Sequence, residues 1–198
     1  MTSKTEIANR VLAKCGDRRV SNIETDPSER AQIINSMYDI VRDGLLQKYP
    51  WNFAIKRTQL AVDATAPAWG YTKRYRLPTD FLSLLHIKNF PDYRIEGDYI
   101  LTNEGAPLYI QYVRNVTSEG EFDALFVEAF ASELAVECCE RINGSNTKKQ
   151  ILAQQRDEAM KIAFMNDAIQ DPPQQRMDDE WLLSREASSV YDDIDYNT

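Results

Sequence analysis

The chain is short of the residues that several common chemistries need. It has one histidine, His86, and three cysteines, Cys15, Cys138 and Cys139, with no CxxC spacing. An odd cysteine count with one histidine gives neither a disulfide framework nor a zinc site. All three cysteines fall within apolar helical patterns and read as small core side chains in a reducing compartment. No apolar run approaches the ~18 residues of a membrane span. The opening MTSKTEIANR lacks the pattern of a signal peptide, so the expectation is a soluble protein made in a cytosol. GxSxG, P-loop, HExxH and glycine-rich phosphate cradles are all missing. The expectation is therefore no catalytic residues, no cofactor and no metal. Positive charge is scarce as well: 31 acids face 23 bases, for a net charge of −8. Such a chain is a poor phosphate binder, because sequence-independent nucleic-acid affinity comes from Lys and Arg displacing counterions. Negative walls still suit a passage through which DNA slides without sticking.

What is present falls into three stretches. Ile7, Ala8, Val11, Leu12 and Cys15 follow one helical face, and Gly16 ends it. Asp26, Pro27 and Glu29 predict the start of a second helix running to about Gln47, with Asp26 as cap and Pro27 in the first position. Between Trp51 and Thr117 extended segments replace the helical period: 53–62, 73–77, 84–90, 93–95, 99–102 and 108–116. Glu96-Gly97-Asp98 marks a tight hairpin. In the last strand Leu108, Ile110 and Tyr112 fall on one side, Tyr109, Gln111 and Val113 on the other. Helix returns at Glu121 and again from about Thr147 to Ile169, where Ile151, Leu152, Ala159, Ile162, Ala163 and Ile169 are predicted to point inward. The fold expected is α+β: a four-helix bundle from 1–50 and 118–170, a small antiparallel sheet or sandwich inserted over 51–117, and an extended acidic tail over 171–198. That tail carries eight acids against two bases, a net −6, leaving −2 for the first 170 residues.

Five local features bear on function. KYPWNFAIKRTQL, from Lys48, joins a helix to a strand; Trp51 and Phe53 read as a corner packing bundle against sheet, not as a base-stacking platform. Lys73-Arg74-Tyr75-Arg76 reads as a solvated strand face or a contact for an acidic partner. Glu128, Glu133 and Glu137 follow a helical spacing and read as a solvated or intersubunit face. His86, in an apolar run without a partner nucleophile, reads as structural. In the tail, Trp181, Leu182, Leu183 and Tyr191 interrupt the acids. Burying these four returns far less than ordering the segment costs. They read as anchors for a groove on a partner protein or a neighbouring subunit.

In order along the chain, IANRVLAKCGDRRVSNIETDPSERA, PWNFAIKRTQL, PAWGY at 67–71 and YRLPTDFL at 75–82 resemble the head-to-tail adaptor family of tailed bacteriophages. The likeness is to the tail tubular protein A branch of short-tailed phages and covers roughly residues 4 to 115 by motif. Its signature core falls on Pro50, Trp51, Phe53, Leu77, Pro78, Asp80 and Phe81. The resemblance implies a non-enzymatic structural protein of the virion neck, assembled in the host bacterial cytoplasm. It implies a homo-oligomeric ring, typically a dodecamer, bound to the portal protein above and to nozzle or fibre proteins below. Genomic DNA would pass through the lumen without specific binding, and no membrane is involved. Wall-degrading activity ascribed to some relatives makes a tail-borne peptidoglycan hydrolase the alternative; it needs two carboxylates flanking a sugar-sized cleft. A cytoplasmic DNA-binding regulator is a third class, opposed by the charge balance.

Overall fold

The computed structural model describes residues 2–170 of the 198-residue chain. Trp181, Leu182, Leu183 and Tyr191 lie outside the described residues.

Helix α1 spans Lys4–Cys15 and begins with a capping box: the Ser3 hydroxyl accepts from the Glu6 amide, and the Glu6 carboxylate accepts from the Ser3 amide. It ends on Gly16 at φ 74°, a left-handed conformation that a side chain strains. A β-carbon there would also run into the Lys148 ammonium. That ammonium donates to the Cys15 carbonyl at 2.6 Å, and the Asn143 amide donates to the same oxygen at 2.8 Å. Residues far along the chain thus satisfy the helix end.

Helix α2 spans Glu29–Lys48, with Ser28 as its cap residue. The expected Asp26 cap is displaced. Its carboxylate accepts from the Ser28 amide at 2.9 Å, closing a local turn, and Pro27 falls before the helix. Helix α3, Ala124–Asn143, starts three residues later than expected, because Glu119–Glu121 forms a single 3-10 turn and Asp123 caps the Leu125 amide. Helix α4 is Asn146–Gln170.

The hub is α3, and α1, α2 and α4 each pack against it. Thirty buried residues form one continuous core around it. The inward face expected for α4 is corrected. Leu152, Met160, Ala163 and Asp167 are buried, whereas Ile151 and Ile162 are each 51% exposed and Ile169 is 78% exposed. The buried set repeats at helical spacing. Ile151 and Ile162 each precede one of its members by one position, which turns them away from α3.

The middle of the chain forms six strands: β1 Ile55–Leu60, β2 Lys73–Arg76, β3 Phe81–Ile87, β4 Tyr93–Glu96, β5 Tyr99–Thr102 and β6 Leu108–Arg114. They make two antiparallel three-stranded sheets, ordered β1-β6-β3 and β2-β5-β4. The first expected strand is shortened by a 3-10 turn over Asn52–Ala54. The third runs earlier than expected and stops at Ile87, because Asn89 and Phe90 take positive φ values of 68° and 48°. The β4–β5 hairpin turns through Gly97 at φ 55°, as its sequence implies.

The two sheets share a small core of seven buried residues. Leu60, Ile87, Leu108, Ile110 and Tyr112 come from the first, Tyr75 and Ile100 from the second. Strand β6 is the seam between layers. Its Leu108, Ile110 and Tyr112 enter the core between the sheets, while Val113 turns the other way into the helical core. The register then fixes the layer's polarity. Phe81 pairs with Arg114 beside the helices, and Leu60 pairs with Leu108 at the far end. The connections 61–72, 88–92 and 103–107 therefore gather at the tip remote from the helical body.

Candidate functional site

The signature residues occupy two structural joints. At the first, Pro50 follows α2, and Trp51 is 1% exposed with its indole N–H donating to the Leu45 carbonyl at 3.1 Å. Phe126 meets the Trp51 ring edge-on at 5.0 Å, and Tyr49, Phe53 and Phe164 pack around it. Trp51 is thus a buried corner and offers no face to a nucleic-acid base. At the second joint, Pro78 accepts from the Phe81 amide and Leu77 packs against the core between the sheets. Asp80 accepts from the Tyr112 hydroxyl at 2.7 Å and from Lys56 Nζ at 2.9 Å, and the Phe81 ring stacks on Tyr112. Burial raises the Asp80 carboxyl, but the hydrogen bonds from Lys56 and Tyr112 outweigh it and hold it below the usual carboxylate range. The group is an ion-paired strut between β1, the β2–β3 turn and β6.

Other singled-out residues also hold the fold together. Burial pushes the Cys15 and Cys138 thiols up to about 12, so they remain protonated core side chains. Within the basic stretch Lys73–Arg76, Tyr75 is fully buried and Arg74 pairs with Asp63 at 3.0 Å while covering the Tyr99 ring. Two of the three helical glutamates are not a free face, which corrects the expectation. Glu128 binds Arg10 and Lys14 of α1, Glu133 binds Arg156 of α4, and Glu137 remains exposed. The reason is positional: α3 lies between α1 and α4, so its acids meet cations from both sides.

Large apolar side chains are exposed on the β layer and on α4. In the β layer Trp69 and Phe90 are each 83% exposed, Trp69 beside Arg74, Arg94 and Tyr99 of the second sheet and Phe90 against His86 of the first. On α4, Ile162, Met165 and Ile169 are more than half exposed and lie three and four residues apart, on one face. The apolar pattern of α4 assigned Ile162 and Ile169 inward and did not select Met165; Trp69 and Phe90 sit in loops and give no periodic signal.

A cleft of about 680 Å³ lies on the outer face of the β1-β6-β3 sheet. Arg57, Gln111 and His86 form one row across the three strands, with Gln59, Tyr109 and Lys88 above them. Among the described residues no carboxylate lines it. The His86 ring stacks on Phe90 and the Lys88 ammonium lies over the Tyr109 ring. Among the described residues no group of His, Cys, Asp and Glu could hold a metal ion, and no helix is long and apolar enough to cross a membrane. No family model and no curated protein matches this chain.

Proposed function

We propose that this chain is the head-to-tail adaptor of a short-tailed phage: a non-enzymatic ring subunit that joins the portal to the tail and lines part of the DNA channel. One observation carries the reading. Large apolar side chains are exposed in two separate parts of the molecule, Trp69 and Phe90 in loops of the β layer and Ile162, Met165 and Ile169 on α4. A closed ring of identical subunits needs two different, complementary patches on each copy, since its contacts are head-to-tail. A monomer working alone has no use for either patch.

In this reading the four helices act as a bundle that forms the ring body, with α3 at its centre. The β tip meets a neighbouring copy or the nozzle and fibre proteins below. Trp181, Leu182, Leu183 and Tyr191 anchor the acidic end on the portal or an adjacent subunit. Ring number, twelve, follows from the family resemblance. The near-neutral body and acidic end suit DNA that slides past unbound.

Size-exclusion chromatography with light scattering, with and without the cognate portal, tests the assembly. The expectation is a monomeric or weakly associated chain that forms a ring on the portal template. A chain that stays monomeric with portal present contradicts the proposal. A clearing zone on bacterial cell walls, abolished by replacing acids with alanine, would put the hydrolase in its place.

A further inference from the structure

The cleft on the outer sheet face combines two features. Arg57 makes no side-chain hydrogen bond or ion pair, and Lys88 has only the Tyr109 ring for a partner. Both cations open onto a space that no carboxylate of the described residues lines. Yet the chain as a whole carries eight more acids than bases. Most of that excess lies in one segment: Asp178–Asp195 has seven acids and one base, with Trp181, Leu182, Leu183 and Tyr191 among them.

The last described helix ends beside the turn that leads into β1. Near its C-terminus, Asp167 accepts from the Asn52 amide at 3.1 Å, and the Asn52 side chain donates to the Asp167 carbonyl at 2.7 Å. Asn52 opens the 3-10 turn that leads into β1, and five residues on, within about 17 Å along the chain, comes Arg57. The same outward row of β6 that enters the helical core at Val113 continues through Gln111 and Tyr109 into the cleft. From Gln170 to Asp178 the chain spans up to about 28 Å, enough to reach Arg57 and Lys88.

We propose that this cleft is the docking face for the chain's own acidic segment, Asp178–Asp195. Arg57 and Lys88 take carboxylates, and the half-exposed Tyr109 ring takes an apolar anchor. Tethering makes the contact effective even though each exposed ion pair is weak. The inference concerns the isolated chain and does not require the adaptor reading. If both hold, the portal displaces the segment from the cleft.

Zero-length carbodiimide coupling of the full-length chain, followed by peptide mass spectrometry, tests it. The expected product is an amide between Lys88 and an acid within 178–195. In a mixture of light and heavy-isotope chains it joins peptides of the same isotope. Arg57→Glu should lower its yield by about fivefold, the change that about 1 kcal/mol of lost ion-pair energy produces. The Lys149–Glu140 pair, at 2.8 Å, supplies a product that should be unchanged in the variant, which shows that it is folded. No Lys88 product, a product joining only unlike isotopes, or one indifferent to Arg57→Glu with the Lys149–Glu140 product intact would overturn the proposal. Because portal is absent, failure here leaves the adaptor reading untouched.

Discussion

The helical body and the β layer solve different problems. Around α3, thirty buried residues form one core, whereas the two sheets share seven. The contrast is clearest in two tryptophans. Trp51 is 1% exposed and hydrogen-bonded at the corner between the layers; Trp69 is 83% exposed in a loop at the far tip. The same side chain serves folding in one place and offers apolar surface in the other. Stability is concentrated where the helices meet, and the surface for contact lies where the sheet core is thinnest.

The sharpest way to break this comparison is to truncate both tryptophans. Trp51→Ala should destabilise the chain by about 3–5 kcal/mol through the lost aromatic contacts and the cavity. Denaturant unfolding would show it as a lower midpoint, and melting would fall by roughly 10 °C. A loss below about 1 kcal/mol would mean the corner is not the anchor described. Next in size is Gly16→Ala, which imposes a left-handed conformation on a side chain and displaces Lys148 from the Cys15 carbonyl. The expected loss is about 1–2 kcal/mol.

The strut at Asp80 tests the seam. Its carboxyl is held below the ordinary range in the folded state, so its stabilisation is present above the unfolded value, about 3.9, and is lost as pH falls through the lower folded value. Asp80→Asn should lower stability by about 1 kcal/mol at neutral pH and flatten the acid limb of the stability curve. An unchanged acid limb would show that the pairing with Lys56 and Tyr112 contributes nothing. The smallest effect is expected at the tip: Trp69→Ala should change unfolding by no more than about 0.5 kcal/mol. It should nevertheless weaken assembly with portal.

Much of the helical framework was legible in the chain because its signals are local. The spacing of Ile7, Val11 and Cys15, the Gly16 stop and the turn at Gly97 each depend on a few neighbouring residues. What was not legible depends on pairing at a distance. Which strands share a sheet follows from β6 joining β1 and β3 while β5 joins β2 and β4, a pairing that the expectation of a sheet or sandwich left open. The inward side of α4 shifted because Met160 and Asp167, which its apolar pattern did not select, face the core. The outer cleft draws Arg57, His86 and Tyr109 from three strands, and only the register brings them together. Glu128 and Glu133 found cations on α1 and α4 for the same reason.

The central claim is that the exposed surfaces exist to be covered by copies of this chain on a portal. Negative-stain electron microscopy of the purified protein mixed with its cognate portal tests it most directly. The account predicts a second ring stacked coaxially on the portal, absent when Trp69 and Ile162 are both replaced by charged residues in a chain that still melts as the parent does. Portal rings that remain bare in the presence of excess parent chain would contradict it.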